Sequence, residues 1–247
     1  MSYRHTCIAC AILLGLAPAS ESASAGVTGT AALTSDYVFR GVSQTNGDPA
    51  LQAGFEFAAD SGWYLGTWGS NISWLSDLST AAAPISSSLE VDVYGGYRGK
   101  FSEALSFDVG AIYYAYPGDF PSSFNDADTA ELYLGVGYSI LSAKAFYAVS
   151  DLFGYTDSDG SVYLDLAANY GFADSWTLNL HAGKQWIESN ESFEYTDWKL
   201  GVTKALANGF SVAFAYTDTN ADDVLYTNPY GSEIADGTAA LTFTKAF

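Results

Sequence analysis

Carboxylates recur at every second position in stretches that are otherwise apolar, and this spacing is the first sign of chemistry in the 247-residue chain. Glu90 and Asp92 alternate with Leu89, Val91 and Val93, Asp165 sits between Leu164 and Leu166, and Glu56 lies between Phe55 and Phe57. Alternate residues of an extended strand share a face. Each stretch therefore has one acidic face and one hydrocarbon face. Acids at that density would be very costly in a dry core, whereas they suit a sheet with water on one side and oil on the other. The same parity assigns Asp36, Glu56, Glu90, Asp92, Asp108, Glu131, Asp165 and Asp197 to an aqueous interior, opposed by Arg40, Arg98, Lys144 and Lys199. As the lining of a conducting pore, this set favours cations over anions; fully paired, it blocks the bore. Arg40 shares its predicted strand face with Asp36, and acidic neighbours such as Glu56 are its expected partners, either as a structural clamp or as an element of selectivity.

Other chemistries find little support. Enzymes embedded in outer membranes need a positioned base, most often histidine. Beyond residue 25 the chain has one, His181, placed in mid-strand on the polar face with Thr177, Asn179 and Gln185 and away from the loops. It is expected to pack in the interior. There is no nucleophile elbow, metal-ligand spacing or phosphate loop, so neither an enzyme nor a cofactor or metal is expected. The acidic segments 119–128 and 218–236 lack the spacing of a Ca²⁺ loop and read as solvated loops. A net charge of −19 without a basic patch excludes nucleic acid as a partner.

The elements that must position these residues are strands. Alternating stretches cover 27–42, 50–59, 63–73, 89–98, 105–116, 130–140, 143–153, 161–171, 176–188, 195–204, 210–217 and 237–247. They amount to about twelve strands, most of them near the length that crosses a bilayer at a tilt. Connections at 60–62, 99–104, 141–142, 172–175 and 205–209 are short, while those at 43–49, 74–88, 117–129, 154–160, 189–194 and 218–236 are mostly longer and often acidic. Short turns at one end and long loops at the other are the pattern of a transmembrane barrel. Backbone groups in lipid must be satisfied within the sheet, so the sheet closes on itself. The predicted fold is all-β, a single antiparallel up-and-down transmembrane β-barrel. Twelve strands lie between small barrels filled by side chains and large ones with open channels, so the count alone does not decide conduction. The six tryptophans, Trp63, Trp68, Trp74, Trp176, Trp186 and Trp198, fall mostly near strand ends, as interfacial girdle residues would.

Residues 1–25 read as a cleaved signal peptide. Arg4 and His5 supply the basic start, 7–17 an apolar run too short to span a bilayer, and Ala23-Ser24-Ala25 the cleavage site. The barrel is then expected to occupy 26–247. Both cysteines, Cys7 and Cys10, leave with the leader, which suits passage through an oxidising periplasm. At the other end Ala239, Leu241, Phe243 and Phe247 share one side of a strand that stops on an aromatic residue. This ending resembles the closing strand by which outer-membrane barrels are recognised by their assembly machinery. That machinery, outer-membrane lipid and lipopolysaccharide are the expected partners, and a homo-oligomer is left open.

Asp36-Tyr37-Val38-Phe39-Arg40-Gly41-Val42-Ser43-Gln44, followed by Gly47-Asp48-Pro49-Ala50, resembles a signature of the TorF family of proteobacterial outer-membrane porins, as does Gly66-Thr67-Trp68-Gly69-Ser70-Asn71. Supporting matches are Leu89-Glu90-Val91-Asp92-Val93-Tyr94-Gly95-Gly96-Tyr97 and Tyr113-Tyr114-Ala115-Tyr116-Pro117-Gly118, and the similarity extends over essentially all of 26–247. The resemblance implies an outer-membrane barrel with a porin role and no defined substrate. The function expected is a small porin giving passive diffusion of small hydrophilic solutes or ions, mildly cation-selective. The alternative is a non-conducting barrel serving as surface scaffold, receptor or adhesin. The glycines and tryptophan of 66–71 are expected to permit curvature and close packing rather than ligand stacking.

Overall fold

The computed structural model describes residues 25–122 and 124–247, so the expected leader lies outside the described residues apart from Ala25. The chain opens with β1 (Gly26–Thr34), followed by a small inner hairpin of β2 (Val38–Phe39) and β3 (Val42–Ser43). Then come β4 (Ala50–Ala58), β5 (Trp63–Asn71), β6 (Leu89–Lys100), β7 (Leu105–Ala115), β8 (Thr129–Tyr138) and β9 (Leu141–Ala148). The sheet is completed by β10 (Val162–Ala173), β11 (Trp176–Trp186), β12 (Tyr195–Ala205), β13 (Phe210–Thr219) and β14 (Thr238–Ala246). Every strand except β2 and β3 pairs antiparallel with its sequence neighbours, and β14 pairs with β1 to close a twelve-stranded barrel. Phe247 extends that seam, its N–H donating to the Gly29 carbonyl at 2.9 Å. Closure leaves no sheet edge unpaired, as lipid requires.

The parity read from the sequence holds around the wall. Leu51, Phe55, Leu65, Leu132, Leu134, Leu200, Phe214, Leu241 and Phe243 all point outward and are exposed, with Leu134 at 59%. An apolar belt of this extent on a closed barrel is the lipid-facing surface of a membrane-spanning protein. Trp63, Trp176, Trp186 and Trp198 stand outward near strand ends at the two rims. Trp68 and Trp74 depart from the expected girdle. They turn inward, Trp68 edge-on to Tyr37 at 5.4 Å and Trp74 to Tyr116 at 5.6 Å. Such aromatic pairs contribute about 0.5–1.5 kcal/mol beyond area burial.

The connections alternate as expected between short turns at one end and long loops at the other. Boundaries shift by a few residues, and the turn expected at 141–142 lies at Ser139 and Ile140, where Ser139 adopts φ 56° and Leu141 already begins β9. The larger correction concerns the first strand. Residues 27–42 do not form one continuous strand. β1 stops at Thr34 and the chain folds into the barrel, turning at Arg40 (φ 46°) and Gly41 (φ 83°). Two central residues with positive φ make the turn that matches the twist of a tight hairpin. Asp36 and Arg40 are both buried in the interior as their shared parity implies, but in a segment that crosses the lumen instead of lining it.

Candidate functional site

The inner hairpin is anchored at both ends and at its tip. At its base the Asp36 carboxylate accepts hydrogen bonds from Ser43 Oγ (2.6 Å), Thr45 Oγ1 (3.1 Å) and, across the seam, Thr238 Oγ1 (3.3 Å). The Ser43 amide donates to the Ile234 carbonyl (2.7 Å), and Tyr37 Oη donates to Glu90 (3.1 Å). At the tip, Arg40 reaches across the lumen. Its Nη2 donates to Glu131 Oε2 at 2.6 Å, and Nη1 donates to Glu131 Oε1 and Gln185 Oε1, both at 3.0 Å. The guanidinium also lies 4.3 Å from the Tyr163 ring centre and 5.0 Å from that of Phe146. A bidentate, desolvated pair packed between aromatic rings is among the stronger polar contacts a protein makes. Glu56, the expected partner, instead pairs with Arg98 on the neighbouring wall.

Gly41 lets the tip touch the far side. A Cβ there would lie 2.5 Å from Thr219 Cγ2 and 2.6 Å from Asp197 Cβ. Gly41→Val is therefore expected to push the hairpin off β12 and β13. The backbone conformation alone would cost about 1–3 kcal/mol, read as a lower melting temperature in detergent micelles together with new protease cleavage within residues 35–49.

Below the hairpin the wall carries acidic and basic side chains in alternation. In strand order they run from Glu56 and Arg98 through Asp108 and Lys144 to Asp165, His181, Asp197 and Lys199. Lys144 Nζ is 3.0 Å from Asp108 Oδ2, and His181 sits between Asp165 Oδ2 (3.3 Å from Nδ1) and Asp197 Oδ1 (2.6 Å from Nε2). Tyrosine hydroxyls stitch the belt together: Tyr64 Oη donates to Asp108 and Tyr163 Oη to Asp197 (3.0 Å). The arc formed by β13, β14 and β1 differs in kind. Its inward residues are small and uncharged, including Ala213, Ala215, Ala240, Thr242, Thr30 and Ala32.

The hairpin divides the interior. On the long-loop side lies a cavity of about 280 Å³, floored by Phe39 and Arg40 and walled by Trp74, Tyr116, Phe153, Tyr155, Tyr195 and Tyr226. On the other side a cavity of about 80 Å³ is bounded by Arg40, Asp165, His181, Asp197, Lys199 and Thr217. In the outer wall Tyr155 donates toward Tyr226 Oη (3.5 Å), which donates to the Phe193 carbonyl (2.7 Å). Burial holds both phenols above the usual tyrosine range, so they stand as neutral hydroxyls.

The structure puts every candidate residue inside the barrel. Asp36, Arg40, Glu90, Asp92, Asp108, Glu131, Lys144 and Asp197 are buried, and Glu56, Arg98, Asp165 and Lys199 are partly accessible. They do not form one site. Arg40 and Glu131 join the hairpin to β8, Asp36 holds its base, Glu90 with Asp92 lies behind Tyr37 without a cation within ion-pair distance among the described residues, and the others make the belt below. Sequence reasoning passed over the inward tyrosines Tyr64, Tyr114 and Tyr133, and it placed Gln185 on the polar face without assigning it a contact. For two of them the signal was present, because Tyr114 shares parity with Asp108 and Tyr133 with Glu131, whereas the strand of Tyr64 holds no assigned inward residue. Gly66 shows the packing role expected for the 66–71 element, since a Cβ there would lie 2.4 Å from the Tyr94 ring.

Solved structures share this architecture. The barrel superposes on the KdgM porin with a TM-score of 0.54 at 10% identity, covering 90% of this chain and 98% of that one. It is similar to the NanC porin (TM-score 0.52, 10% identity, 90% and 98% covered). It is also similar to the COG4313 outer membrane channel from Pseudomonas putida F1 (TM-score 0.50, 11% identity, 91% and 96% covered). At these identities the likeness is one of fold. No curated protein matches in sequence. A closed antiparallel barrel with a lipid-facing belt in a bacterial protein belongs in the outer membrane. Residues 18–247 match the model of a family described as a bacterial protein of unknown function, and the chain is a member of that family, Gcw_chp.

Proposed function

We propose that this protein is a small, porin-like outer-membrane channel for passive diffusion of hydrophilic solutes or ions, mildly selective for cations and narrowed by the Arg40 hairpin. We further propose that it stands with the TorF porins its motifs resemble. The observation that carries the selectivity is the sign of the charges along the route. Each of the six long loops carries carboxylates, and Arg40 is the sole Lys or Arg among them. Within the barrel Arg40 is matched by Glu131, Arg98 by Glu56 and Lys144 by Asp108, which leaves Asp36, Glu90 and Asp92 without a cationic partner among the described residues. Cations are thus concentrated at the mouth and anions repelled. The candidate pore-lining set is that of the belt and the hairpin. Catalysis has no part in this reading, because His181 is held between two aspartates deep in the lumen.

A second reading, a non-conducting barrel serving as scaffold, receptor or adhesin, is favoured by one observation: the hairpin spans the lumen and is tied to both sides. Planar-bilayer recording of the purified protein separates the two. Discrete small steps with a reversal potential shifted toward the cation in a salt gradient are expected. Silence in both the native protein and Arg40→Ala would establish the non-conducting barrel. Assembly is proposed to depend on the β14 ending, where Phe247 faces outward at 72% exposure; lipid, lipopolysaccharide and a second copy of the chain remain proposed partners of the outer wall and loops.

A further inference from the structure

The outer cavity has the composition of a binding site that the channel reading leaves unused. Its lining combines aromatic faces, among them Phe153, Tyr155 and Tyr226, with side-chain amides and hydroxyls, and contains two charged residues, Arg40 and Asp77. Both are already engaged, Arg40 with Glu131 and Gln185, and Asp77 with Ser73 Oγ at 2.8 Å. Four buried side-chain polar atoms among the described residues lack a hydrogen-bond partner, and two of them belong to residues lining this cavity. They are Trp74 Nε1 and Asn228 Nδ2, both donors. Asn228 Oδ1 meanwhile accepts from the amides of Tyr230 and Ser232, each at 3.0 Å, so the side chain is held by its oxygen while its amide nitrogen is left unpaired. Buried donors without partners are rare in native structures and point to a missing acceptor.

The chemistry of the occupant follows by elimination. An apolar molecule would leave both donors unmet. A quaternary ammonium suits aromatic faces but offers no acceptor oxygen and would approach the Arg40 guanidinium. An anion would have to pass loops rich in carboxylates, while the one cation present is already paired. An uncharged molecule with hydroxyl oxygens and flat C–H faces meets every condition. Its C–H faces lie against the negative faces of the rings, and its oxygens accept from the two free N–H groups after small side-chain adjustments. The volume, near the lower end for ligand pockets, fits one or two sugar rings. We propose that the outer cavity, closed below by the Arg40 hairpin, binds an uncharged mono- or disaccharide through Trp74 and Asn228. The site deepens the channel reading by naming the solute captured above the constriction, and it rests on that reading only for what happens to the solute next.

The test is equilibrium binding, which needs no conduction. The full protein, purified in an amine-oxide detergent free of sugar, is titrated with maltose and with lactose by calorimetry and by tryptophan fluorescence, with glucuronate and choline as charged comparisons. Saturable binding of a neutral disaccharide in the millimolar range is expected, at least about tenfold tighter than glucuronate or choline. Trp74→Phe keeps the ring and removes the donor; Asn228→Asp keeps the acceptor that holds its loop and removes the donor. Each is expected to weaken binding about tenfold while the barrel retains its far-ultraviolet spectrum and melting temperature. The proposal is overturned if neither disaccharide binds below about 100 mM, if a charged comparison binds more tightly, or if both folded variants bind like the native protein. Binding by a protein that is silent in bilayers would sink the channel reading and leave the site standing; conductance without binding would do the reverse.

Discussion

Replacing Arg40 with alanine is expected to enlarge single-channel conductance several-fold and to destabilise the barrel at the same time. The guanidinium is the tip of the only segment that crosses the described interior, and it is held by three hydrogen bonds to Glu131 and Gln185. Truncating it removes the contact that pins the tip to β8 and β11 and leaves Glu131, 1% exposed, as a buried charge without its partner. Removing one member of a buried pair costs about 3–5 kcal/mol, most of it the penalty of the abandoned charge. The double variant Arg40→Ala with Glu131→Gln removes that charge as well. It is expected to regain part of the melting temperature in micelles while keeping the larger conductance. Arg40→Lys is expected to resemble alanine more than the native protein, because an ammonium cannot make the bidentate contact. Unchanged conductance in a folded Arg40→Ala protein would show that the hairpin is not the constriction.

The second large effect comes from the outer wall. Leu134 lies at the middle of β8 and faces outward. Leu134→Arg is expected to cost about 2–4 kcal/mol, the depth-dependent penalty for a cation on the lipid face at the bilayer midplane. The measurement is unfolding in liposomes, with the yield of heat-modifiable barrel in the outer membrane as a second readout. Ala215→Arg supplies the contrast. Ala215 is inward on the small-residue arc of β13, where an arginine meets water. That variant is expected to fold and to shift the reversal potential toward anions. Equal tolerance of arginine at both positions would contradict an outer surface in lipid.

How much of this was legible in advance is clearest at individual residues. The alternation of Glu90 and Asp92 with Leu89, Val91 and Val93 assigned faces correctly because side-chain direction in a strand has period two and depends on nothing distant. The same rule kept 36 and 40 on one parity, yet it could not tell a strand from a hairpin that leaves the wall. Arg40-Gly41 is not among the usual tight-turn dipeptides, and the positive φ values that reveal it belong to the folded chain. Trp68 and Trp74 looked like girdle residues by position. Tyr37 and Tyr116, brought in by the hairpin and by the loop after β7, gave them inner partners instead.

What the sequence determined by itself was a closed barrel of about twelve strands, with long acidic loops at one end and an ionic interior. Those follow from period, segment length and composition, all local properties of the chain. What only the tertiary structure decided was which charges meet and what bars the lumen. Arg40 finds Glu131 and not Glu56 because the partner of a buried charge is set by how the barrel registers its strands and where an inward segment ends. That choice is made by contacts 91 residues apart in the chain, beyond the reach of any local pattern.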